Sequence, residues 1–137
     1  MPLSTIFDIA GSAMSAQSVR LNTVASNLAN ANSVASSPET AYRSRNPVFS
    51  AVMQGAGRNA ESVGVQVQGV TESQAAINKQ FEPGNPLADA TGYVYTTNVN
   101  PVEEMANMIS ASRSYQNNVE VMNTSKQLML STLKLGQ

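Results

Sequence analysis

The chain has 137 residues, 42% hydrophobic but only 5% aromatic and 12% charged, with a formal net charge of −1. That length suits one domain, and a near-neutral balance lacks the basic footprint of a nucleic-acid binder. Neither Cys nor His occurs, which removes disulfides, thiolate metal sites and the commonest acid–base group.

Much of the hydrophobic content is Ala, Val and Met. Few large side chains in a short chain make a thin core, so part of the burial is expected from neighbouring chains. No apolar run approaches the roughly 18 residues that cross a bilayer. No positive side chain precedes Arg20, so the n-region of a secretory signal is missing. The expectation is a protein that does not span a membrane and is exported, where it is exported, without a cleaved signal.

Residues 1–32 read as a helix. Leu3, Phe7, Ala10, Met14, Gln17, Leu21, Val24, Leu28 and Ala31 follow alternating steps of four and three, with Gln17 the one polar member. Such a stripe marks a helix roughly 40 Å long that lies along a partner helix. Ser4 is expected to cap its start, with Asp8 near the first turn. The opposite face carries Ala, Ser, Gly, Thr, Asn and Gln, and the only charges between Ser4 and Asn32 are Asp8 and Arg20. Small uncharged residues let another helix approach without desolvating charge, so packing on more than one side is expected.

Residues 33–98 differ. Ser33 to Tyr42 reads as a loop. A strand from Ala41 to Phe49 is expected to be interrupted at Pro47, and Gly55 to Gly64 reads as a flexible connection. Val63, Val65 and Val67 alternate with Gly64, Gln66 and Gln68, the pattern of a half-buried strand. Ala75 to Phe81 and Tyr93 to Val99 read as further short strands around the turn formers of Glu82 to Gly92. The centre is a small module rich in β-hairpins.

Residues 99–137 read as a second helix. Asn100 suits the N-cap, Pro101 the first position and Glu103 the third, while Lys126 and Lys134 suit the C-terminal end. Met105, Met108, Ser112, Tyr115, Val119, Met122, Lys126, Met129 and Leu133 form its stripe. The fold class is therefore α+β, mainly α. Its long terminal helices pack as an antiparallel coiled coil around a small β-hairpin-rich centre. The expected seam sets Phe7, Met14, Leu21, Val24 and Leu28 against Met108, Tyr115, Val119, Met122 and Met129. Gln17 is either the polar break that fixes register or a solvent-facing residue.

No catalytic constellation emerges. Ser125 and Lys126 are adjacent, so a helix points them about 100° apart, and no third group orients them. The carboxylates are scattered, and the Glu103–Glu104 pair is better explained by helix capping than by metal binding. No cofactor is implied. Arg43 and Arg45 beside Tyr42 are too few for a nucleic-acid patch; they are expected to meet a neighbouring chain or solvent. Arg113 and Glu120, one heptad apart, suit pairing across subunits.

Several segments together carry a family resemblance. Ile6-Phe7-Asp8-Ile9-Ala10-Gly11-Ser12-Ala13, Gln17-Ser18-Val19-Arg20-Leu21-Asn22 and Ala25-Ser26-Asn27-Leu28-Ala29-Asn30-Ala31 resemble the N-terminal pattern of bacterial flagellar axial proteins. Glu82 to Val94 and Asn98 to Gln137 resemble the proximal-rod type of flagellar basal-body rod protein, the FlgC family. The loop "NSVASSPETAY" stands where many axial relatives have a compact turn, and Ala51 to Ser62 matches no family pattern.

The resemblance implies a structural subunit of the rod in the periplasm, exported by the flagellar type III apparatus and stacked helically. Its implied partners are copies of itself, other proximal and distal rod subunits, and the adaptor at the MS-ring and export-gate end. The rival reading is a soluble helical adaptor that binds a partner helix. That reading expects stable helices in the isolated monomer, whereas assembly expects ends that order on polymerisation.

Overall fold

In the computed structural model, residues 3–54 and 62–135 are described. The chain is α+β: two long helices are separated by five strands in two small antiparallel sheets. Helix α1 spans Leu3–Ala29 and α2 spans Pro101–Leu135. Between them lie β1 (Val34–Ala35), β2 (Arg45–Gln54), β3 (Ser62–Glu72), β4 (Asn78–Phe81) and β5 (Tyr93–Thr96).

The two helices begin differently. Asn100 Oδ1 accepts from the amides of Val102 at 3.1 Å and Glu103 at 3.4 Å, which satisfies two of the donors that a helix start leaves unpaired. Ser4, by contrast, is already inside α1, which is described from Leu3, and Asp8 lies beyond its first turn. The expected cap at Ser4 is therefore replaced by a helix that starts earlier.

The centre holds two sheets. One has strand order β1-β5-β4, and its β1 falls inside the stretch expected to be only loop. The short Val34–Ala35 pairing with Tyr95 and Thr96 has no alternation for a sequence pattern to reveal. A turn from Glu82 to Gly92 joins β4 to β5. Gly92 has φ +83°, and a Cβ there would lie 2.8 Å from Phe81 Cε2, so only Gly fits.

The other sheet is the long β2–β3 hairpin. It runs through Pro47 instead of stopping there. A two-stranded sheet has only edge strands, where a residue without an N–H is tolerated. A β-bulge follows between Val48 and Phe49. The connection expected over Gly55 to Gly64 lies mostly outside the described residues, and Ser62 to Gly64 are already strand.

The burial of β3 departs from the expected alternation at its start, while farther along Val67 is half-buried and Gln66 and Gln68 are exposed. Val63 is 46% and Val65 36% exposed, whereas Gly64 is buried. A Cβ on Gly64 would sit 3.3 Å from Ser12 Oγ of α1. The strand thus backs onto α1 where it has no side chain, and the Val65 amide donates to Ser12 Oγ at 3.2 Å. Close backbone approach, rather than apolar burial, decides the orientation.

α1 consequently packs against α2 and, elsewhere on its surface, against the β2–β3 hairpin. The small uncharged residues of α1 do meet a second partner, but it is the chain's own hairpin rather than another helix. The core is thin. Its buried apolar members are Ala10, Ala16, Val24, Ala41, Val94, Val99 and Ala111, and Val94 and Asn27 are the largest fully buried side chains.

Candidate assembly surface

The α1–α2 contact is built from small residues. Ala10, Ala16 and Val24 of α1 and Ala111 of α2 are buried, and Arg20 donates to Asn107 Oδ1 at 2.9 Å across the pair. Val24 is buried among the residues expected at the seam. Phe7, Met14, Gln17, Leu21 and Leu28 are half-buried, as are Met108, Tyr115, Val119, Met122 and Met129. Among the described residues, Gln17 keeps its Oε1 buried without a hydrogen-bond partner, as does Glu104 its Oε2. Such orphan acceptors cost free energy in a lone subunit.

Asn27 joins α1 to the centre. It is fully buried in the last turns of the helix. Its Nδ2 donates to the Arg45 carbonyl at 2.8 Å and its Oδ1 accepts from the Arg45 amide at 2.9 Å. The same Oδ1 accepts from the Tyr42 hydroxyl at 3.0 Å. The amide therefore satisfies both backbone groups of Arg45 and pins the first residue of β2 to α1. Asn98 holds the other side of this junction, accepting from Ser44 N at 2.7 Å and donating to the Ala75 carbonyl at 3.1 Å.

This junction also engages two residues expected to contact neighbours. Arg43 donates to the carbonyls of Ser73 and Ala75, both at 3.2 Å. Arg45 pairs with Glu72 at 3.4 Å and its guanidinium lies 5.5 Å from the Tyr42 ring centroid. Arg113 and Glu120 are exposed on α2, and neither forms an ion pair among the described residues.

The β4–β5 turn is organised by one carboxylate. Asp89 Oδ1 accepts from Thr91 N at 2.8 Å, Thr91 Oγ1 at 2.6 Å and Tyr93 N at 3.0 Å, while Oδ2 accepts from Tyr95 Oη at 3.2 Å. These bonds, led by the Thr91 hydroxyl, lower the Asp89 pKa from 3.8 to about 2. The Tyr95 phenol is pushed above its usual range, first by desolvation and then by its bond to Asp89. On α2, Ser125 is buried and Lys126 exposed, on sides of the helix about 100° apart. No group of three metal-ligating side chains occurs among the described residues.

What stands out is apolar surface without cover. Phe49 and Met53 of β2 share a face with Val63 and Val65 of β3 and are 39% and 67% exposed. On α2, Val102, Met105, Ile109, Leu128, Leu130 and Leu133 are all exposed. The chain exposes 9063 Å², against about 6,900 Å² for a compact monomer of its mass. Clustered, uncovered side chains of this kind mark contact surfaces.

A thin core, two long helices and uncovered apolar faces fit a subunit whose surface is completed by neighbours, and the comparisons with known proteins give the class of structural rod proteins. Residues 7–35 match the family described as flagella basal body rod protein, and residues 90–135 match the flagellar basal body rod FlgEFG protein C-terminal family. The chain is 57% identical over 137 residues to the flagellar basal-body rod protein FlgC of Escherichia coli O6:H1, with both chains fully covered. It is 56% identical, again over both full lengths, to FlgC of Salmonella typhimurium. To FlgC of Bacillus subtilis it is 34% identical over 95% of each chain. The chain belongs to the FlgC family of flagellar basal-body rod proteins. It is a structural component of the flagellar basal body.

Proposed function

We propose that this chain builds the proximal part of the rod, stacking helically with copies of itself and with other rod proteins to form a shaft around an export channel. The apolar side chains left uncovered on α2 carry this reading: Val102 is 71% exposed and Leu133 64%. A subunit with so little buried core gains stability by covering such surface with neighbours.

Within the subunit, α1 and α2 run antiparallel as a coiled coil, with Phe7, Met14, Gln17, Leu21, Val24 and Leu28 facing Met108, Tyr115, Val119, Met122 and Met129. Two features support that direction. Arg20 bonds Asn107, and one turn further along α1 Val24 lines the same cleft as Glu104, one turn back along α2. The rod lies in the periplasm. The chain reaches it through the flagellar export apparatus without losing a signal segment, and it meets the adaptor at the MS-ring end and the distal rod subunits at the other. Torque passes through many shared contacts. Arg113 and Glu120, free of ion pairs among the described residues, serve contacts between subunits.

Replacement of a motile host's own relative by this chain tests the reading. Basal bodies isolated from such cells are expected to contain the chain in the rod, and a density map should trace its helices beside the channel. Non-motile cells whose folded, exported chain is missing from isolated rods would end the proposal.

A further inference from the structure

The β2–β3 hairpin is held at two places of unequal strength. At its root, Arg45 offers both backbone groups to fully buried Asn27, at 2.8 and 2.9 Å. There Ser44 also accepts from the Ser73 amide at 2.7 Å, and Asn98 bonds both Ser44 and Ala75. Roughly 22 Å back along α1, the second hold is slight. Among the described residues, one hydrogen bond joins the far part of the hairpin to α1, from the Val65 amide to Ser12 Oγ at 3.2 Å. The Ser12 hydroxyl proton is already given to the Ile9 carbonyl at 2.8 Å. No described side chain of residues 49–54 and 62–67 is buried; only Gly64, which has none, is.

Between the two holds the packing is incomplete and the ladder irregular. A cavity of about 290 Å³ opens between α1 and the hairpin, lined by Val19, Asn22, Thr23, Ser26, Arg45 and Val70. Pro47 has no N–H to give the ladder. The register shifts between Val48 and Phe49, which leaves Gln68 as the extra residue of a bulge. Gly69 pairs with Val48, and a Cβ built there would meet nothing within 4 Å. A bulge beside an unpacked Gly is where a two-stranded ribbon bends most easily. Root, bend and far contact thus follow one another along the hairpin.

We propose that the hairpin is a hinged strap. Its arm, residues 49–54 and 62–67, closes on α1 through Ser12 and swings away about the Val48–Phe49 bulge when that bond opens. Release re-aims the apolar face formed by Phe49, Met53, Val63 and Val65, and the junction at Asn27 stays intact. The device belongs to the single subunit, so it goes beyond the assembly reading and stands without it.

The chain contains no Cys, so introduced pairs can be cross-linked or labelled selectively. A Cβ on Gly64 would lie 3.8 Å from Ser12 Cβ, a separation that suits a disulfide. In the purified full chain, Ser12→Cys with Gly64→Cys is therefore expected to oxidise to an intrachain bond. Pulsed electron resonance then reads nitroxide distances from Ala106→Cys, on an exposed position of α2, to the arm at Val63→Cys or to the root at Thr71→Cys. The arm pair is expected to show a second separation, whose population rises by roughly threefold or more in Ser12→Ala through the loss of one hydrogen bond. The root pair keeps one distance in both backgrounds, which also reports a folded subunit. An arm distance that is single and unmoved by Ser12→Ala overturns the strap. So does equal spread at arm and root, or failure of the Ser12–Gly64 disulfide to form.

Discussion

Asn27 shows how one amide fixes a domain. Asn is a weak helix former because its side chain competes for backbone hydrogen bonds. Here it bonds the backbone of a different element, both the amide and the carbonyl of Arg45. Asn27→Ala leaves those groups and the Tyr42 hydroxyl unpaired in a buried site, so a loss of roughly 2–4 kcal/mol is expected. Urea unfolding of the purified chain measures it, and a change under 1 kcal/mol would remove Asn27 from this role. Asp89 makes a milder, pH-dependent contribution. Its folded pKa is depressed to about 2 from 3.8, so the stabilisation is present above the unfolded value and lost as pH falls through the folded one. Amide resonances of Thr91 and Tyr93 are expected to shift between those pH values in the parent and to stay flat in Asp89→Asn.

At the scale of elements, α1 and α2 are not equivalent. α1 has partners on two sides within its own chain, α2 and the β2–β3 hairpin. α2 spans 35 residues against 27 for α1, and its last turns carry exposed Leu128, Leu130 and Leu133. Ordering on assembly should therefore concentrate at the end of α2, more narrowly than the expectation that both chain ends order on polymerisation. Limited proteolysis of the isolated chain is expected to cut at Lys126 and Lys134 while leaving Arg20 protected, and incorporation into rods should abolish those cuts. Early cleavage at Arg20 would show that α1 also waits for neighbours. The hairpin adds a second lesson. Its Val-rich face points away from α1 near Gly64, because the strand meets the helix through backbone.

Across the whole molecule, small and large apolar residues have separate roles. Ala10, Ala16 and Ala111 let elements approach closely within the chain, while the larger apolar groups lie where a neighbour can reach them. This inverts the usual distribution of a soluble monomer, in which large side chains fill the core. It also separates a rod subunit from a free-standing adaptor. An adaptor needs one uncovered groove, whereas this chain leaves the hairpin and two separated parts of α2 uncovered. Covering all of them takes several neighbours at once, as in a rod built of many subunits.

The sequence by itself determined the two terminal helices and the Asn100 cap, because heptad spacing and capping chemistry are local. It also carried the family match, most specifically from Asn98 onward. Tertiary structure alone decided where the hairpin lies, which face of β3 is buried, and that Arg43 and Arg45 bond within the chain. Those outcomes depend on contacts between residues distant in the chain. Gly64 meeting Ser12 and Asn27 meeting Arg45 leave no periodic trace, because a close approach or a single buried amide needs only one residue at one place.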